Sequence, residues 1–143
     1  MLSNQSIDET DLLILNYLIQ DAAQSHKAIG QLVHLTGQAV SARVRKLQDL
    51  GIIEGYTIHW NPSKIGQIIH AFITVFMKSG NAHQSFLAFV QQREQIIETH
   101  RVSGEGCYWM RVRVSTPKEL SLLLNELLHY GNYKVSLSID QVK

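Results

Sequence analysis

Apolar positions in the first fifty residues recur at three- and four-residue spacing. In "SIDETDLLILNYLIQD", Leu12, Leu15, Leu18 and Ile19 share one side of a 3.6-residue period and predict a helix. Asp8 stands where an N-cap belongs, and Asp11 three residues on makes a weak variant of the capping box. "SHKAIGQLVHL" predicts a shorter second helix capped by Ser25, with Ile29, Leu32 and Val33 as its apolar stripe. Gly30 inside it costs about 1 kcal/mol against Ala and reads as room for a neighbouring helix. His34–Leu35–Thr36 is a turn. Thr36 caps a third helix that ends before Gly51, where a left-handed cap lets Ile52 and Ile53 pack back on the last turn. Three short helices with a tight link between the second and third form the helix-turn-helix pattern, which some bundles that bind no DNA share.

Beyond residue 54 the period changes. Tyr56–Trp60 reads as a short strand, followed by a turn at Asn61–Pro62 and a close at Gly66. "HAFITVFMK" is rich in β-branched and aromatic residues with apolar groups on both faces, which predicts a strand buried on both sides. "NAHQSFLAFVQQRE" predicts a helix with Phe86, Phe89 and Val90 on one face. "IIETHRVSG" and "CYWMRVRVS" predict two strands around Gly104–Glu105–Gly106. "TPKELSLLLNELLHY" predicts a helix with Thr116 as N-cap, Pro117 in first position and Glu119 at the third, and "KVSLSID" a last strand. The order βαββαβ is a ferredoxin-like split. The expected fold class is α+β. It comprises an N-terminal three-helix winged helix-turn-helix domain (1–53), a linker strand and turn (54–66), and a C-terminal ferredoxin-like βαββαβ domain (67–143).

Two helices cover only one face of a four-stranded sheet. Ala71, Ile73, Val75 and Met77 point one way while Phe72 and Phe76 point the other, so the open face keeps large apolar groups. Such surfaces meet partners, and one patch pairing with itself makes a homodimer the economical expectation.

The 143 residues are 45% hydrophobic and 17% charged, which suits one typical domain or two small ones and argues against disorder. The net charge of +1 gives no bulk basic bias of the kind many DNA binders show. The first sixty residues carry four cations against six acids, and the remainder nine against six. Any attraction for DNA in the N-terminal part must therefore be local. A single cysteine, Cys107, excludes an intramolecular disulfide and fits a reducing compartment. The seven histidines lack metal-ligand spacing, so no metal is expected. The polar, acidic start is not a signal-peptide pattern, and no apolar run approaches the roughly 20 residues of a membrane span. The expected location is the cytoplasm.

The third helix carries the chemistry. At 100° per residue Val40, Val44 and Leu47 form its buried stripe, and Gln38, Ser41, Ala42, Arg45, Lys46 and Asp49 lie opposite. Small and hydrogen-bonding groups with Arg45 and Lys46 suit base edges and phosphates, whereas a solvated face more often carries Glu–Lys pairs. Arg43 falls on the shoulder of the buried stripe. An ion pair with Asp8 or Asp11 and a phosphate contact are both open for it.

The segments "IDETDLLIL", "LTGQAVSARVRKLQDLGIIEGYT", "NPSKIG" and "RVSGEGCYWMRV" together resemble the Lrp/AsnC (feast/famine) family of prokaryotic transcription regulators, in order and spacing over nearly the whole chain. The resemblance implies a DNA-binding regulator, not an enzyme, with a recognition helix from Gln38 to Leu50. Its DNA-facing residues would be Thr36, Gln38, Ala39, Ser41, Ala42, Arg43, Arg45 and Lys46. It further implies a βαββαβ domain that dimerises, dimers that commonly assemble into octamers, association with the nucleoid, and an amino-acid effector at the loop Gly104, Glu105, Gly106, Cys107. The family loop usually reads Gly-x-x-Asp, its acid holding the ligand's ammonium group. Cys107 stands at that position, and a mostly neutral thiol cannot supply the charge. Glu105 is the acid nearby, and a small buried strand residue is the plainer role for Cys107. A second departure is His34, where the link between the helices usually has glycine. Histidine is among the residues that tolerate positive φ.

Two alternatives follow from these residues. One is an architectural DNA binder with no small-molecule effector, favoured by Cys107. The other is an enzyme, either like the haem-biosynthesis decarboxylases related to the family or using Cys107 with His100 as nucleophile and base. The basic, polar outer face of the third helix speaks against the second.

Overall fold

The computed structural model describes residues 6–143, which divide into two compact units, one ending at His59 and the other starting at Trp60. The first unit contains α1 (Glu9–Gln20), α2 (His26–Val33) and α3 (Gly37–Asp49). Asp8 and Asp11 form a complete capping box: Asp11 N–H donates to Asp8 Oδ1 at 2.8 Å and Asp8 N–H to Asp11 Oδ2 at 3.0 Å. Ser25 and Thr36 accept from the backbone N–H groups of Ala28 and Ala39. The core is Ile14 and Leu18 of α1, Ile29 of α2, and Val40 and Val44 of α3, with Leu47 also fully buried. Each such aliphatic group contributes roughly 1.5–3 kcal/mol when fully buried.

His34 ends α2 at φ 58°, the left-handed value a turn requires here. Gly30 serves that turn and not a neighbouring helix. A Cβ on it would stand 2.4 Å from the Leu35 carbonyl oxygen, so the chain folds back directly over the glycine. Gly51 takes φ 70° beyond α3, and Ile52 and Ile53 both donate to the Leu47 carbonyl. The strand expected at Tyr56–Trp60 does not form. A strand needs a neighbour to exchange hydrogen bonds with, and this segment has none among the described residues; Ile58 is 77% exposed.

The second unit contains β1 (Ile69–Met77), α4 (His83–Gln91), β2 (Ile96–Arg101), β3 (Tyr108–Val114), α5 (Pro117–Leu127) and β4 (Gly131–Leu137). The sheet order is β2-β3-β1-β4 and every pair is antiparallel, which is the expected βαββαβ arrangement. Ala71, Ile73, Val75, Tyr108, Met110, Val112 and Val114 pack beneath Phe86, Phe89, Leu123 and Leu127 of the helices. β1 is fully buried on this face only. Its other face is half-buried, because α4 and α5 both pack on the first. β4 starts three residues earlier than the pattern suggests: a Cβ at Gly131 would stand 2.0 Å from the Phe76 carbonyl oxygen, so glycine alone lets the strand begin this close to β1.

Candidate nucleic-acid interface

The outer side of α3 is built from short side chains around one long cation. Thr36, Gln38, Ser41, Ala42, Arg45, Gln48 and Asp49 are exposed, and Ala39 is half-buried. Arg45 makes no ion pair or hydrogen bond among the described residues. Gln48, which the helical wheel left aside, belongs to the same exposed side.

Arg43 is turned away from it. Its Nη1 lies 2.8 and 2.7 Å from the two Asp8 oxygens and 2.8 Å from Asp11 Oδ1. Of the two roles open to Arg43, the structure shows the ion pair. Lys46 requires a correction. Its Nζ donates to Asp11 Oδ2 at 2.6 Å and to the Ser6 carbonyl at 2.9 Å, and the side chain is only 20% exposed. The expectation that Lys46 points outward with Arg45 fails for a simple reason. The wheel places its Cα, but a four-carbon stem carries the charge back to the nearest buried acid.

Asp11 is the centre of this cluster and is completely buried. Burial by itself pushes its carboxyl up. Lys46, the Asp8 N–H and Arg43 together outweigh that and hold it at about 2, below the ordinary 3.8. Arg43 likewise holds Asp8 below its ordinary value. Two cations of α3 are thus committed to the first turn of α1. They fix the height and rotation of α3, and Arg45 remains its one unpaired cation among the described residues.

The loop after β2 carries a second group of expected site residues. Gly104 and Gly106 adopt φ 97° and 79°. A Cβ on Gly106 would stand 2.4 Å from Thr74 Cγ2. Cys107 donates its N–H to Val75 O at 2.8 Å, accepts from Val102 N at 3.0 Å, and packs half-buried against the hydrophobic core. It lies in the bend just before β3, half-buried against the core, and not within the strand as expected. Glu105 pairs with Lys134 at 3.3 Å in solvent. His100 lies instead beside Trp109, bonded to Glu98 at 2.6 Å, so the structure brings no Cys107–His100 pair together.

The uncovered face of the sheet presents Phe72 stacked on Trp109, with ring centroids 5.7 Å apart and 18° between planes. Arg111, Arg113 and His70 surround them. Burial first, and then Arg113 and Arg111, hold His70 below its ordinary value. Glu98 bonds Arg111 at 2.9 Å.

Residues 7–54 match the family model described as winged helix-turn-helix DNA-binding, and residues 70–143 match the Lrp/AsnC ligand binding domain. The chain belongs to the Lrp/AsnC family. Among its curated relatives are two HTH-type transcriptional regulators of Bacillus subtilis (strain 168). LrpB is 44% identical over 96% of this chain and 91% of its own length, and LrpA is 40% identical over 94% and 99%. Like them, this Lrp/AsnC protein is a transcriptional regulator and not an enzyme. Among solved structures, the Neisseria meningitidis transcriptional regulator NMB0573 in complex with L-Met superposes with a TM-score of 0.90. That match covers 96% of this chain and 93% of the other at 23% identity, a likeness of fold. No helix among the described residues is long and apolar enough to cross a membrane.

Proposed function

We propose that this Lrp/AsnC regulator reads duplex DNA with the outer side of α3, using Thr36, Gln38, Ala39, Ser41, Ala42 and Arg45. Arg43 and Lys46 contribute by holding the helix, not by touching phosphate. The observation that carries this reading is the chemistry of that side: small hydrogen-bonding groups and an unpaired Arg45, with no acid before Asp49. The N-terminal turns of the second helix of a helix-turn-helix pair are the ones that enter the major groove. Arg45→Ala should weaken binding to selected and random duplexes alike, because a phosphate contact carries no sequence information. Parent-like binding would refute the assignment.

The protein works as a homodimer joined through the open sheet face around Phe72 and Trp109, and dimers assemble further toward octamers. A DNA partner places it in the cytoplasm with the nucleoid. An amino-acid effector at Gly104–Cys107 is a second element of the proposal. The family model for this domain and the L-Met complex of a neighbour in fold support it, with Glu105 as the loop's carboxylate. The inward packing of Cys107 favours the other reading, an architectural DNA binder without an effector. Thermal unfolding with a panel of amino acids separates them, since a ligand that binds the native state raises its stability. No shift at millimolar concentrations would leave the architectural reading.

A further inference from the structure

The first turns of α2 and α3 lie against each other: a Cβ on Gly37 would stand 3.2 Å from the Lys27 backbone. This brings His26, the first residue of α2, onto the outer side of α3. Its Nδ1 lies 2.6 Å from Ser41 Oγ, and Ser41 Oγ lies 2.9 Å from the Gly37 carbonyl oxygen. A hydroxyl has one hydrogen and two lone pairs. Ser41 either donates to Gly37 and accepts from His26 Nδ1–H, or donates to Nδ1 and leaves the ring hydrogen on Nε2. In both arrangements the serine is spent on the histidine, and Nε2 is the nitrogen left without a partner among the described residues.

We propose that His26 is a DNA-contacting residue whose ring is aimed by Ser41, so that the reading face extends from α3 onto the start of α2. The contact is to a backbone phosphate. A phosphate oxygen accepts, which favours the tautomer with hydrogen on Nε2, and Ser41 then turns its hydrogen from the Gly37 carbonyl to Nδ1. The ring donates outward through Nε2–H, and the part of Ser41 in the reading face is to aim His26. This rests on the reading of the outer side of α3 as DNA-facing.

The test is equilibrium binding to two duplexes, one selected by the parent from a random pool and one of random sequence. His26→Ala should lose about tenfold per protomer on both, the scale of one hydrogen bond to a charged partner, and so roughly a hundredfold for a dimer. Ser41→Ala should lose a comparable part, and the double variant no more than His26→Ala. His26→Asn keeps a group near Nδ1 for Ser41 but lacks the reach of Nε2, so it should bind as poorly as His26→Ala. His26→Gln, whose amide reaches about as far as Nε2, should recover part of the loss. The proposal is overturned if His26→Ala binds like the parent, if the two single losses add in the double variant, if His26→Asn restores affinity, or if the loss is confined to the selected duplex. Arg45→Ala on the same duplexes tests the underlying reading separately. A loss there with none at His26 removes this proposal alone.

Discussion

Asp11→Asn probes the cluster that holds the recognition helix. The substitution keeps the shape of the side chain and removes its charge. A carboxyl held at about 2 in the folded protein, against 3.8 ordinarily, contributes about 2 kcal/mol at neutral pH. The amide also leaves Lys46 without its carboxylate. Breaking a buried pair costs about 3–5 kcal/mol, but Lys46 and Arg43 are 20% and 29% exposed and solvent repays part of it. The expected loss is therefore about 2–3 kcal/mol. For a unit of this size that lowers Tm by about 10–20 °C. The sign of the pH dependence follows from a depressed acid. Its stabilisation is complete above the ordinary value, is lost as pH falls toward the folded one, and is about half gone by pH 3. Urea unfolding of parent and variant, followed by helical circular dichroism at pH 7 and at lower pH, measures the gap directly. The account predicts a gap that narrows with acidity. A variant within about 0.5 kcal/mol of the parent at pH 7, or a gap constant down to pH 3, would refute the reasoning.

Three further outcomes are expected. Gly30→Ala should destabilise the first unit by about 2 kcal/mol or more in denaturant titration, because its Cβ would overlap the Leu35 carbonyl oxygen at 2.4 Å. Trp109→Ala should shift the protein toward monomer in analytical ultracentrifugation while its secondary structure is kept, since it removes one half of the Phe72–Trp109 stack on the open sheet face. Cys107→Asp should lower stability in thermal unfolding, because it turns a carboxylate toward the hydrophobic core.

Most of the fold was legible from local chemistry. Asp8, Ser25 and Thr36 are helix caps whose side chains can act only on the next turn, so the helix starts followed from the residues themselves. The alternation of Ala71, Ile73 and Val75 with Phe72 and Phe76 separated the two faces of β1, though both were expected to be buried and only one is fully so. The misses share a cause: each depends on what lies opposite in space. Tyr56–Trp60 has the composition of a strand but no partner among the described residues. Gly131 and Asn132 fall before the strand expected at "KVSLSID", and only β1 opposite brings them into β4. Lys46 has an outward Cα and an inward charge. His26 meets Ser41 fifteen residues away, and no spacing signals that contact; among the scattered histidines it could be judged only as a poor metal ligand.

The central claim is that, of the three cations of α3, only Arg45 meets phosphate. The slope of log Kobs against log salt tests it most directly, because each phosphate contact on duplex DNA contributes about 0.9. Arg45→Ala should flatten the slope by roughly two for a dimer. Lys46→Met, measured where the variant is still folded, should leave it unchanged. A flattened slope for Lys46→Met, or an unchanged one for Arg45→Ala, would contradict the account.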